Sequence, residues 1–147
     1  MILMSINRRI VLIFLALSIF YLPALAEDDY SINVSADKFL GAFLTNESGY
    51  ALYYFSDDAG MSEESACYGE CAAKWPAFYA EVISVPESLI AIDFAAITRT
   101  DGTKQTTYKG WPLYLYSGDK APGSVSGNGR EENRWHIIDP QDLPQSF

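Results

Sequence analysis

Basic residues, histidines and cysteines are scarce in this 147-residue chain, and each scarcity closes off a class of function. Lysine and arginine number 10 against 19 aspartates and glutamates, a formal net charge of −9. A surface this acidic repels phosphate backbones and anionic lipid heads, which argues against nucleic-acid binding and against membrane docking through a basic patch. The one histidine, His136, stands in an apolar ending, Trp135-His136-Ile137-Ile138. A catalytic triad would need it as base, yet no serine occupies a nucleophile-elbow context. Its position suits a packed or half-exposed strand histidine. No G-x-x-x-x-G-K-[ST] or G-x-G-x-x-G follows a strand pattern, so no nucleotide has a visible cradle and no cofactor is expected. Carboxylates are plentiful, but nothing singles out a pair for glycosidase-like acid/base work. The chain is therefore not expected to be an enzyme.

Long apolar runs are equally few. The one that occurs, Ile10 to Leu22, follows Arg8-Arg9 and precedes Ala24-Leu25-Ala26 and the acidic Glu27-Asp28-Asp29. A basic, apolar, small-x-small order is the pattern of a secretory signal. The run falls short of the roughly 20 residues that cross a bilayer core. Residues 1–26 are thus expected to be a signal peptide cleaved after Ala26, with an uncleaved N-terminal anchor as the alternative. No cysteine lies near the cleavage site, so no lipid anchor is expected. Residues 27–147 then form a single exported domain, long enough for a core and without a stable membrane span. It would be secreted or held in the cell envelope, where its partner is unidentified.

That setting bears on the only two cysteines, Cys67 and Cys71. Outside the cytoplasm such a pair is expected to be a disulfide, stapling one local turn. If reduced, Cys67 and Cys71 with Met61 or His136 could hold a soft ion such as Cu(I). A Ca²⁺ site on Asp57, Asp58, Glu63 and Glu64 lacks the EF-hand spacing.

The chain repeats itself. Gly49-Tyr50-Ala51-Leu52-Tyr53-Tyr54-Phe55-Ser56-Asp57-Asp58 aligns with Gly110-Trp111-Pro112-Leu113-Tyr114-Leu115-Tyr116-Ser117-Gly118-Asp119 at a constant offset of 61 residues. A tryptophan follows each final Asp, Trp75 after Asp58 and Trp135 after Asp119. Tandem duplication accounts for this, with repeat 1 at about 39–78 and repeat 2 at about 96–138. Aromatic residues at Leu52 to Phe55 and Leu113 to Tyr116 favour strands. Alternation places Tyr53 with Phe55 on one face, as it does Tyr114 with Tyr116, while Leu52, Tyr54, Leu113 and Leu115 take the other.

Glycines mark the hairpins. Asn46-Glu47-Ser48-Gly49 links Phe39–Leu44 to Tyr50–Phe55, and Lys109-Gly110 links Lys104–Tyr108 to Trp111–Tyr116. Asp101-Gly102 turns a strand entering at Ile97 to Arg99. Asp58 and Asp119 fall where each strand ends and are read as turn-forming or loop-fixing residues, with ligand binding as the alternative. A helix is expected from Ser62, its cap, to Ala73, ended by Trp75-Pro76. Ala121 to Gly129 reads as an irregular loop. The fold expected is mainly β, two tandem hairpin repeats packed as a small sandwich or compact barrel, with one short helix around the cysteines.

These residues together resemble the predicted secreted or lipoprotein repeat family defined by a Y-x-[FWY]-x-x-D motif. The motif stands at Tyr53-x-Phe55-x-x-Asp58 and Tyr114-x-Tyr116-x-x-Asp119. The likeness extends through Ser65-x-Cys67-x-Gly69-x-Cys71-Ala72-x-x-Trp75-Pro76, Asp101-Gly102-Thr103-x-Gln105, Tyr108-x-Gly110 and Gly118-Asp119-x-x-Pro122-Gly123. The resemblance implies an exported tandem repeat with no assigned activity. It also implies a lipobox cysteine in many relatives, which this chain lacks. The function expected is an exported non-catalytic binding or structural module, with Trp75, Trp111 and Trp135 either ligand platforms or core. A metal- or redox-linked protein using Cys67 and Cys71 is the alternative.

Overall fold

A computed structural model describes residues 29–58 and 64–142. The chain forms strands β1 (Ile32–Asp37), β2 (Gly41–Asn46) and β3 (Tyr53–Phe55), helix α1 (Glu70–Lys74), then β4 (Phe94–Thr98), β5 (Lys104–Tyr108) and β6 (Trp111–Pro112). A short α2 (Arg130–Asn133) and β7 (Trp135–Ile137) follow. They make three small antiparallel sheets, β1-β2, β3-β7 and β4-β5-β6. The fold is mainly β, as expected, and among the described residues no sheet closes into a barrel.

Turn chemistry sets the hairpins. Asp37 Oδ1 accepts from the amides of Phe39 and Leu40, which delays β2 to Gly41 rather than Phe39. Asn46 Oδ1 accepts from Ser48 and Tyr50, closing the expected turn before β3. Lys109 and Gly110 both have positive φ (48° and 85°), the backbone a two-residue hairpin of primed type requires. Asp101 Oδ1 caps Thr103 N in the hairpin that joins β4 to β5.

The pairing departs from two self-contained hairpins. β2 pairs in full with β1, a strand the sequence patterns did not reveal. Past the Asn46 turn, only Thr45 and Ala51 form a bridge between β2 and the segment leading to β3. β3 instead pairs with β7, at the far end of repeat 2, in the register Tyr53↔Ile137, Tyr54↔His136 and Phe55↔Trp135. Of Trp111–Tyr116, only Trp111–Pro112 is a strand of the β4-β5-β6 sheet; Tyr114 bridges singly to Tyr53 and Ala77.

The expected helix from Ser62 to Ala73 is also shorter. α1 spans Glu70–Lys74, and its N-cap Gly69 sits at φ 58°, outside helical space. Upstream, Ser65 Oγ accepts from Cys67 N and Asp58 Oδ1 accepts from Ala66 N, bonds that hold this stretch in a loop. Met61 to Glu63 lie outside the described residues, and with them the Ser62 cap.

Strand alternation divides the core. Leu52, Tyr54 and Leu113 join Ile32, Leu44, Phe94, Tyr108, Trp111 and Ile138 on one side. Tyr53, Phe55 and Tyr114 join Phe43, Cys67, Trp75, Trp135 and Ile137 on the other. The second cluster, where both repeats meet, holds the motif aromatics, both cysteines, Trp75 and Trp135, while Trp111 belongs to the first.

Candidate functional site

The two repeats interlock at their motif tyrosines. Tyr53 N donates to Tyr114 O and Tyr114 N to Tyr53 O, both at 2.9 Å. The side chains then cross. Tyr53 Oη donates to Asp119 Oδ2 at 2.7 Å, and Tyr114 Oη to Asp58 Oδ2 at 2.6 Å. Each motif tyrosine therefore bonds the motif aspartate of the other repeat. Tyr53 and Tyr114 are fully buried, and Asp58 and Asp119 nearly so.

Each aspartate's second oxygen fixes the loop that follows it. Asp58 Oδ1 accepts from Ala66 N at 2.7 Å, while Asp119 Oδ1 accepts from Ser126 N at 3.0 Å and Ser126 Oγ at 2.6 Å. Ser65 and Ser126 also stand 61 residues apart. Ser65 Oγ lies 2.6 Å from Tyr114 Oη, and Gly127 N donates to Tyr53 Oη. Carrying the repeat offset past the motif would have paired these serines.

Burial shifts the titration of Asp58 and of the two tyrosines. It pushes the Asp58 carboxyl up to about 6, against the opposing pull of the Tyr114 hydroxyl, the Ala66 amide and Arg99. It also raises both tyrosine hydroxyls, helped by the facing aspartates. Arg99, itself buried, donates through Nη2 to Cys67 O, and its guanidinium lies 4.4 Å from the centre of the Tyr68 ring. Sequence reasoning missed Arg99, whose burial follows from its place on the inward face beside Ile97.

Cys67 and Cys71 stand at disulfide distance, with Sγ atoms 2.00 Å apart. The thiolate donor set therefore loses its two sulfurs. Of its other members, Met61 lies outside the described residues, and His136 Nε2 sits 2.8 Å from Asn133 O while its ring stacks on Tyr54. Two of the Ca²⁺ carboxylates have other partners. Asp57 pairs with Arg134 and Asp58 with Tyr114, and Glu63 lies outside the described residues.

None of the three tryptophans is a surface platform. Trp75 and Trp135 are 0% exposed and Trp111 3%. Trp75 and Trp135 stack face to face, centroids 3.8 Å apart and planes 3° from parallel. Phe55 extends the stack beyond Trp135 and Tyr116 extends it beyond Trp75, each at 4.3 Å. Arg134 lies over the Phe55 ring and Arg130 over that of Tyr116. The motif's second aromatic position thus builds a four-ring column capped at both ends by guanidinium groups.

Glu131 closes the side of this column. Trp75 Nε1 donates to its Oε1 at 3.2 Å and Trp135 Nε1 to its Oε2 at 3.0 Å, while Lys74 Nζ contacts Oε1 at 2.5 Å. The Lys74 contact, with the two indoles, holds the Glu131 carboxyl below its usual value. Glu131, Glu132 and Asn133 all have positive φ, at 52°, 61° and 63°. No pattern in the sequence marks Glu131 as different from its neighbours.

Three surface hollows include Asn46 in their lining, and one of these also reaches Tyr116 and Asp119. Another of them, about 660 Å³, is lined by residues including Tyr30, Asn33, Asn46 and Glu47. Among the described residues no helix is long and apolar enough to cross a membrane. No curated protein and no solved structure matches the chain. The Lipoprotein_15 family, described as a secreted repeat of unknown function, matches it twice, over residues 34–78 and 95–139. With both copies of the repeat covered, the chain belongs to this family of secreted repeats.

Proposed function

We propose that this protein is an exported, non-catalytic binding module, released by cleavage after Ala26 and carrying no lipid anchor. One observation carries the reading. The hydroxyl and carboxylate groups of the repeated motif, Tyr53, Tyr114, Asp58 and Asp119, are buried and bonded to one another. Groups so engaged act as an internal clasp between the repeats and are not presented to a substrate. That leaves non-repeated features, the Glu131 turn and the hollows at Asn46, to meet a partner. An acidic surface suits dispersion outside the cell and disfavours nucleic acid.

The purified exported protein tests this reading. Its intact mass should match a chain that begins at Glu27, bears no acyl group and lacks two thiol hydrogens. Its thermal midpoint should rise with a ligand from a panel of envelope glycans and peptides, since binding to the native state stabilises it. An acylated or uncleaved chain would contradict the localisation. Turnover of any panel member would contradict the non-catalytic role.

A further inference from the structure

Glu131 occupies its place as a ligand would. Donors from three residues converge on its carboxylate: Lys74 Nζ and Trp75 Nε1 on Oε1, and Trp135 Nε1 on Oε2. Two indole N–H groups on parallel rings 3.8 Å apart offer one donor to each oxygen of a single carboxylate, a bidentate match. Basic side chains also stand around it, Arg130 and Arg134 at the two ends of the ring column, with Arg134 paired to Asp57. Lys74, Arg130 and Arg134 gather here, with Arg134 Nε bonded to the Glu131 carbonyl and Arg130 Nε to that of Ser126.

The backbone that delivers this carboxylate is strained. Three consecutive non-glycine residues, Glu131 to Asn133, lie in the left-handed region, where the Cβ crowds the following carbonyl. Lys74 and Glu131 are partly exposed, so the cradle opens to solvent along the side that Glu131 covers. An external carboxylate could use the same three donors without holding this turn.

We infer that Lys74, Trp75 and Trp135 form a carboxylate-binding site, which Glu131 occupies in cis and which an acidic peptide segment of an exported protein partner takes by displacing it. The geometry already accommodates a glutamate side chain on a polypeptide, which favours a peptide over an acidic glycan. This inference rests on the binding-module reading and names the chemistry of its ligand. Because Glu131 competes, the apparent affinity is the intrinsic one scaled by the fraction of molecules in which the cradle is open.

The test follows the assigned indole N–H signals of Trp75 and Trp135 by NMR in the full mature chain, titrated with capped triglutamate, triglutamine or digalacturonate. Triglutamate should shift both signals in the wild type and triglutamine neither. Glu131→Gln, which keeps an acceptor but weakens the occupant, should tighten triglutamate binding about tenfold. Glu132→Gly with Asn133→Gly relaxes the turn while leaving Glu131 in place, and should weaken triglutamate binding roughly fivefold. Indole signals unmoved by triglutamate in both the wild type and Glu131→Gln would overturn the site. A response to digalacturonate alone would overturn the peptide assignment in favour of an acidic glycan. If the cradle is silent while another panel member stabilises the protein, this site alone is lost; if the panel is silent too, the module reading falls with it.

Discussion

Tyr53 and Asp119 lie 66 residues apart in sequence and 2.7 Å apart at their hydrogen-bonding atoms. Tyr114 and Asp58 repeat the relationship in the opposite sense. Motifs that look like independent copies along the chain are, in the fold, two halves of one reciprocal clasp. The organisation is isologous, as in a two-fold dimer, but within a single chain.

The clasp makes the pH dependence of stability specific. Burial raises the Asp58 carboxyl from 3.8 to about 6, so the native state holds that proton more tightly than the unfolded chain. Asp58's stabilising share is then fully present below about pH 4 and is lost as pH rises through about 6, a change of up to about 3 kcal/mol. Glu131 works in the other direction: its lowered value adds stability above the free-group value of 4.5, which is lost as pH falls. In urea denaturation from pH 4 to 7, Asp58→Asn should remove the decline that wild type shows relative to the variant. Parallel profiles would contradict the assignment.

The Cys67–Cys71 pair closes only a short loop, for which chain entropy gives about 2 kcal/mol. Cys67 nevertheless packs fully buried beside Trp75. Reduction should therefore lower the melting midpoint without unfolding the domain at 25 °C, read by near-UV circular dichroism with and without reductant. Loss of the native spectrum on reduction would show that the disulfide holds the whole domain.

Gly127 has no room for a side chain. A Cβ there would lie 2.8 Å from the Tyr53 ring and 2.9 Å from Trp75, in the loop whose amide reaches Tyr53 Oη. Gly127→Ala should destabilise by about 1–3 kcal/mol through overpacking. Gly102→Ala meets no neighbour but keeps a φ of 84°, so its cost should be nearer 1 kcal/mol. Equal effects in chemical denaturation would argue against close packing at Gly127.

Much of this architecture was legible in the sequence, because local rules govern it. The period-2 alternation of Leu52 to Phe55 and Leu113 to Tyr116 sorted these residues correctly between the two core clusters. Asn46, Asp101 and Gly110 announced their turns. The pairing of β3 with β7 was not legible, since nothing local in Tyr53–Phe55 distinguishes Ile137 as a partner from Leu44. β1 escaped notice because Asn33, Ser35 and Asp37 alternate with small or exposed apolar residues and give a weak strand signal. The helix is shorter than its sequence predicts because Gly69 and the Ser65 and Asp58 bonds outweigh the propensity of the residues before it. Glu131 was invisible for a different reason. Its role arises from backbone conformation and from a tryptophan pair that only the folded chain assembles.

The central claim is that the motif residues act between repeats and not within them, and double-mutant cycles test it most directly. Tyr53→Phe and Asp119→Asn, measured singly and together by urea denaturation, should show a coupling of about 1–3 kcal/mol, as should Tyr114→Phe with Asp58→Asn. Tyr53→Phe with Asp58→Asn, which joins residues of the same motif, should be additive within about 0.5 kcal/mol. Coupling within each motif and additivity between the repeats would contradict the clasp.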